Sequence, residues 1–434
     1  MLLHPLGRWV DPAEAWAVLL SDEANSFWLD SGDEKGTSYL GAGSRLLEGP
    51  HVFADLAAEL ASTRIVDVAD GGFALGWVGW LGYDLREATL GTPVTRAARY
   101  PVSALMFADR ALAFDHAARE VTLLALGSAW HGDLADWRDA TVAALLTGRD
   151  EQLPVHVPAE ATATWADSDE HYLALIADCQ AAIRAGEAYQ LCLTTEARVD
   201  VRPEPFAAYL ALRASSPAHH GGLIRVGEVS LLSSSPEQFL SVTPDGVVES
   251  KPIKGTRPRG ATPAADAELR ADLLASDKER AENLMIVDLM RNDIGRVSAV
   301  GSVTVPSLFA VESYPQVHQL VSTVRGRLAP GLDAVDAVVA CFPAGSMTGA
   351  PKRSATLLLD GFEDRARGIY AGAFGYFGLD GRVDLAMVIR SIVLDAAGAT
   401  IGAGGGITAL SVPREELAEV KLKAAALLAV LGAR

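Results

Sequence analysis

The clearest periodicity lies in the middle of the chain. Ser168-Asp169-Glu170 offers a cap-type residue followed by acids where a helix macrodipole favours them. Tyr172, Ile176, Cys179 and Ile183 then recur on one helical face. Beyond Gly186 the pattern turns extended, over Tyr189 to Thr194, Gly222 to Val226 and Gln238 to Val242. A long helical stretch is predicted roughly from Ala265 to Asp293. Apolar runs from Ala371 to Leu379 and from Val383 to Val393 flank the turn signal Asp380-Gly381 and predict a hairpin. The last element is a helix beginning near Pro413, a residue suited to a first turn.

The first part of the chain mixes short apolar runs with glycine-rich turns, as in Gly76-Trp77-Val78-Gly79-Trp80-Leu81-Gly82, and Val121 to Leu126 is strand-like. A polar stretch from about Thr147 to Asp167, with Pro154 and Pro158, has the character of a linker or long crossover. The expected organisation is an N-terminal region over 1–150, a connection over 151–166 and a second region over 167–434. No fixed-period repeat is present. Hairpins with peripheral helices predict an α+β fold and argue against a doubly wound parallel sheet.

Composition narrows the function. Half of the 434 residues are apolar, enough for a sizeable core. A net charge of −18 with no basic stripe excludes nucleic acid as the expected partner. Such a protein can bind an anionic substrate only through local cations or a metal. Cys179, Cys192 and Cys341 lie far apart and without metal-ligand spacing, so buried reduced thiols are expected. No signal-peptide pattern and no apolar run of membrane-spanning length is present. The expectation is a soluble, cytoplasmic protein with no membrane association.

Four features carry candidate chemistry. Glu279 and Glu282 are three apart on one predicted helix, as are Glu416 and Glu419 on another, so each helix can present two carboxylates in one direction. If those helices meet, the oxygens suit Mg²⁺; spacing alone favours the plainer reading, solvated surface faces. Lys254 sits between Pro252-Ile253 and Gly255-Thr256, where a partly dry setting would make its amine a nucleophile, a snorkelling or counter-charge lysine being the alternative. Gly402-Ala403-Gly404-Gly405-Gly406 can let backbone N–H groups approach an anion, or simply make a tight turn. Ser235-Pro236-Glu237 places a carboxyl after a turn, either a general acid or a solvated glutamate. Gly345 to Lys352 superficially resembles a phosphate loop but lacks the Gly-Lys-Ser/Thr step, and Pro351 removes a donor, so a nucleotide is not expected.

Together these segments resemble the chorismate-utilising enzymes, a family that includes anthranilate, aminodeoxychorismate, isochorismate and salicylate synthases. The resemblance covers roughly Tyr172 to Leu428. It rests on Ser235-Pro236-Glu237, Pro252 to Thr256, Lys278 to Asp293, Phe342 to Lys352, Arg367-Gly368-Ile369-Tyr370 and Gly402 to Lys423, in family order. It implies two packed, largely antiparallel sheets flanked by helices. It also implies Mg²⁺ on Glu282 and Glu419 with Glu279 and Glu416 beside them, and Glu237 next to a departing hydroxyl. Gly255, Thr256, Ser346, Tyr370, Arg390, Gly404 to Gly406 and Lys423 would surround the substrate, chorismate.

Three further positions discriminate among family members. Gln190 stands where water-adding members have a lysine base. Lys254 is similar to the aminodeoxychorismate synthase pattern, where anthranilate synthases usually have alanine. Gln319 falls where anthranilate synthases have a histidine linked to pyruvate loss, although a shift of one residue would put His318 there. The pattern implies an aminated product that keeps its enolpyruvyl group, with Lys254 as the proposed covalent nucleophile. No glutaminase signature surrounds any cysteine, so the resemblance implies ammonia from a separate glutaminase subunit in a heterodimer. Leu29-Asp30-Ser31 resembles the family's tryptophan-binding segment, marking Asp30 and Ser31 as a possible pocket.

Overall fold

In the computed structural model, which describes residues 1–63, 65, 72–148, 153–314 and 317–433, the extended segments gather into two antiparallel sheets. At the heart of the twelve-stranded sheet, Gln190–Val199 pairs with Gly398–Ile407 from Leu191↔Ile407 to Val199↔Ala399. Ser391–Asp395, Val229–Ser235 and His220–Val226 continue that sheet, and it runs on into Asn25–Asp30 and the other N-terminal strands. The ten-stranded sheet runs from Ile253–Pro258 and Val317–Arg327 through Gln238–Val242, Val383–Met387 and Ala373–Gly378 to Gly76–Leu81. Each sheet therefore takes strands from both ends of the chain, with Asp30 opposite Gly221 in one and Gly79 opposite Gly375 in the other. Of the expected 151–166 connection, residues 151 and 152 lie outside the described residues.

Burial follows from this pairing. Phe27, Ile224 and Leu231 from one sheet meet Val78, Trp80, Phe374 and Ala386 from the other in a shared apolar cluster. The outer face of the larger sheet is covered by helices that include Asp169–Arg184 and Pro413–Val430. The outer face of the smaller sheet is covered by helices that include Asp277–Gly295 and Ala334–Cys341. Two sheets between helical layers make the expected α+β architecture. Among the described residues no helix is long and apolar enough to cross a membrane.

Local signals explain most element ends. Ser168 caps Asp169–Arg184, its hydroxyl accepting from the His171 N–H at 3.1 Å, and Tyr172, Ile176 and Cys179 are buried beneath it. The hairpin turn at Asp380-Gly381 forms, with Gly381 at φ 87°. Two expectations need correction. The stretch from Ala265 to Asp293 is two helices, Pro263–Ala275 and Asp277–Gly295, because extended Ser276 caps the second and accepts from the Glu279 N–H. The run from Val383 to Val393 is likewise two strands in different sheets, Val383–Met387 and Ser391–Asp395, with Arg390 at φ 52° in the switch between them.

A buried ion pair ties the sheet core to the loops around it. Arg367 bonds Glu363 at 2.7 Å and donates to the carbonyls of Cys192 (2.8 Å) and Met347 (2.6 Å), with its guanidinium 4.3 Å from the centre of the Tyr83 ring. Glu363 accepts from the Thr194 N–H and hydroxyl, both at 2.9 Å. Removing one partner leaves the other charge buried alone, so Arg367→Met should lower the unfolding free energy by about 3–5 kcal/mol, measured by urea titration.

Candidate active site

The two helices with paired glutamates converge at one end of the glycine-rich strand Gly398–Ile407, beside a cavity of about 690 Å³. Glu279 and Glu282 come from the first turns of Asp277–Gly295, and Glu416 and Glu419 from the first turns of Pro413–Val430. Lys254, Gly255, Thr256, Glu237, Gln319, Ser346, Tyr370, Arg390, Gly404, Gly405, Gly406 and Lys423 line the same cavity. Segments spread over much of the sequence are thus brought to one place.

The cavity wall is bare backbone because side chains would not fit. A methyl on Gly402 would fall inside the Tyr370 ring, and one on Gly405 would stand 3.2 Å from a Glu416 carboxylate oxygen. On Gly406 it would meet the Gln190 amide nitrogen at 2.5 Å and the Lys254 Nζ at 3.3 Å. The Gln190 amide therefore lies on the same face of Gly406 as the Lys254 amine, although Gln190 is not among the cavity-lining residues. It is fully buried, and neither atom of its amide has a hydrogen-bond partner among the described residues.

A register irregularity aims Lys254. Strand Ile253–Pro258 pairs with its neighbour at Ile253↔Val321 and again at Thr256↔Gln319, with a bulge between. Gly255 takes φ 84° there, and a Cβ on it would lie 2.9 Å from a Glu279 oxygen. Bulges of this kind redirect side chains. The Lys254 amine reaches the cavity half-buried, with no hydrogen bond or ion pair among the described residues. The same pairing settles the neighbouring position, since Gln319 faces the cavity. His318 is 1 % exposed and points away, bonded to Asp266 (3.0 Å) and Ser313 (2.8 Å).

Burial pushes the Glu237 carboxyl up to about 7, against the opposing effects of a Ser346 hydrogen bond, the Lys254 charge and the Ile253 N–H. Glu282 is also pushed up by burial, more than Lys254 and Lys278 pull it down. For Glu419 burial is outweighed by the bonded Lys423, with Lys254 and Lys278 adding to it, and the carboxyl lies below its ordinary range. Lys423 spans Glu419 at 2.7 Å and the Gly404 carbonyl at 2.8 Å. The Arg390 guanidinium lines the cavity without a hydrogen-bond or ion-pair partner among the described residues, leaving it available to an anion.

Two charged residues of the cavity wall escaped sequence reasoning. Lys278 lies 4.0 Å from Glu282 and 3.9 Å from Glu416, and Arg257 lies 3.6 Å from Glu279. The four-residue step from Lys278 to Glu282 was a usable signal; the contact with Glu416 depends on tertiary packing. Among the described residues no three His, Cys, Asp or Glu side chains are grouped to hold a metal ion. The all-oxygen donor set still fits Mg²⁺, which keeps several waters and binds through one or two carboxylates.

Asp30 and Ser31 border a second cavity of about 560 Å³ with aromatic walls at Tyr39, Phe374 and Tyr376. The Asp30 carboxylate is already engaged by Arg213 (2.7 Å), Tyr209 (3.0 Å) and Ser38 (3.0 Å). The Ser31 hydroxyl accepts from the Gly36 N–H at 2.9 Å and donates to Asp33 at 3.1 Å. Both residues shape the wall of this cavity, and their polar atoms serve the protein's own loops. Pro236 and Ile253 line both cavities.

The chain belongs to the family described as chorismate binding enzyme, whose model matches residues 8–429. A protein from Streptomyces pristinaespiralis named aminodeoxychorismate synthase is 42 % identical over 97 % of this chain and 64 % of its own length. One of the same name from Streptomyces griseus is 48 % identical over 83 % of this chain and 50 % of its own length. The chain thus spans between half and two-thirds of the length of these relatives. The crystal structure of anthranilate synthase component I from Streptococcus pneumoniae TIGR4 superposes with a TM-score of 0.78 at 26 % identity, covering 93 % of this chain and 90 % of that one.

The raised Glu237 pKa has a definite linkage. Between about 4.5, its ordinary value, and about 7, the folded chain holds a proton that the unfolded chain has released, so this group costs stability as pH rises through that window. Glu237→Gln removes the cost. Its stability relative to wild type should improve by roughly 3 kcal/mol across the same window, read from urea unfolding at a series of pH values.

Proposed function

We propose that this protein converts chorismate and ammonia to 4-amino-4-deoxychorismate, the precursor of p-aminobenzoate in folate synthesis. The observation that carries the reading is the unpaired Lys254 amine, sharing a cavity with the protonatable Glu237. The similarity to two proteins named aminodeoxychorismate synthase supports it.

Arg390 and Lys423 are placed to pair with a substrate carboxylate, the guanidinium offering a two-point clamp. Tyr370, Ser346 and the backbone of Gly404 to Gly406 border the remaining volume and fix the ring against the sheet. Glu282 and Glu419, with Glu279 and Glu416 beside them, would hold Mg²⁺, which when bound neutralises a substrate carboxylate. The Lys254 amine then bonds to carbon 2, both ring double bonds shift along the diene, and the 4-hydroxyl leaves as water with the Glu237 proton. Ammonia bonds to carbon 4, the diene re-forms, Lys254 departs as the free amine, and the new ammonium returns a proton to Glu237. Gln319 cannot act as an acid or base near neutral pH, which leaves the enolpyruvyl ether intact.

Ammonia would be delivered by a glutaminase subunit in a heterodimer, since all three cysteines are buried and serve the core. Reduced buried thiols also fit a cytoplasmic setting. The aromatic second cavity is a candidate tryptophan pocket.

Purified protein incubated with chorismate, Mg²⁺ and ammonium should yield an aminated product that retains the enolpyruvyl group. Anthranilate with pyruvate would refute the reading in favour of an anthranilate synthase. Glu237→Gln should lower turnover by roughly 10²–10⁴-fold, as loss of a general acid does, with a much smaller change in chorismate KM.

A further inference from the structure

In the described residues each of the four glutamates Glu279, Glu282, Glu416 and Glu419 faces a cation from this same chain. Arg257 stands 3.6 Å from Glu279 and Lys423 2.7 Å from Glu419, while Lys278 lies between Glu282 at 4.0 Å and Glu416 at 3.9 Å. Lys278 differs from the other two in three ways. It reaches one carboxylate on each helix, and both separations lie at the outer edge of ion-pair contact. Its side chain is also 53 % exposed, whereas those of Glu282 and Glu416 are 14 % and 6 % exposed.

A structural bridge between sheltered groups would close to hydrogen-bond distance. A compact ammonium on a flexible four-carbon stem, loosely held by two sheltered carboxylates and open to solvent, is a counter-ion that can leave. It lies where two negatively charged helix starts would otherwise repel each other, and a divalent cation reaching Glu282 must compete with it.

We propose that Lys278 is a tethered counter-cation that competes with the divalent metal for the carboxylates of the two helices, and so sets the metal affinity of the site. The inference rests on the reading that these carboxylates hold Mg²⁺. It gives Lys278 two effects of opposite sign: it steadies the metal-free chain and weakens metal binding. Metal arrival frees its side chain towards solvent, so the two helices share a compensating cation in either state.

The test measures Mg²⁺ binding by isothermal titration, and Mn²⁺ binding by paramagnetic resonance, on the full chain without chorismate. Wild type is compared with Lys278→Met, Lys278→Arg and Lys421→Met. Lys421 is on the same helix as Glu416 but is held by Asp169 at 3.0 Å and by the Trp165 ring, with no ion pair to the four glutamates among the described residues, and so reports the loss of a positive charge outside the cluster. Lys278→Met should bind the metal roughly three- to tenfold more tightly, with the Arg variant and Lys421→Met close to wild type. Without metal, Lys278→Met should melt below wild type, and saturating Mg²⁺ should close that gap. Unchanged or weaker binding by Lys278→Met overturns the proposal, as does an equal gain in Lys421→Met, which would reduce the effect to a general field. Absence of binding in every chain overturns the metal reading and this inference with it.

Discussion

Strand Gly398–Ile407 carries nothing larger than a methyl group between Gly402 and Gly406, and the active cavity depends on that restriction. On this strand lie the Tyr370 ring and the Gln190 amide, each too close to leave room for a side chain, and a Glu416 oxygen and the Lys254 amine, which would have to give way to one. A central strand normally loses stability from so many glycines. Here pairing with Gln190–Val199 along almost its full length compensates, and behind that partner the buried Glu363–Arg367 pair fixes Thr194 and the Cys192 carbonyl. The bare strand lets Tyr370, Glu416, Gln190 and Lys254, from four other segments, approach one small volume.

Local cations explain how a protein of net charge −18 can accept an anion. Lys254, Arg390 and Lys423 line the cavity beside the helix glutamates and offset their charge there. Opposed charges at short range in a partly dry space split the behaviour of the carboxyls. Burial drives Glu237 up to about 7, while Lys423 outweighs burial at Glu419 and holds it low. A proton donor and a permanent anion then coexist in one site, set by surroundings rather than by residue type.

How much of this was legible in the sequence depended on how local each cause was. The cap at Ser168, the buried face of Tyr172, Ile176 and Cys179, and the hairpin at Asp380-Gly381 follow from neighbouring residues and could be read directly. The break at Ser276 was also locally encoded, since Ser276 and Glu279 have the spacing of a capping box, but the continuous helical pattern masked it. The passage of the chain from one sheet to the other around Arg390 has no such local signal, because strand partners far away in sequence decide it. The same holds for the site. Paired glutamates on helix faces were visible, but their meeting, the bulge that turns Lys254 inward and the placement of Gln190 against Gly406 arise only from tertiary packing. Asp30 illustrates the converse: the resemblance of its segment suggested a ligand pocket, yet Arg213, Tyr209 and Ser38 already occupy its carboxylate.

The proposed chemistry requires the Lys254 amine to bond to the substrate. The direct measurement is intact-protein and peptide mass spectrometry of the chain quenched after mixing with chorismate and Mg²⁺ in the absence of ammonia. A mass gain equal to chorismate less one water, confined to the peptide that contains Lys254 and discharged when ammonium is added, is the predicted result. Turnover with ammonium but no such adduct at any quench time would contradict it and reduce Lys254 to a counter-charge.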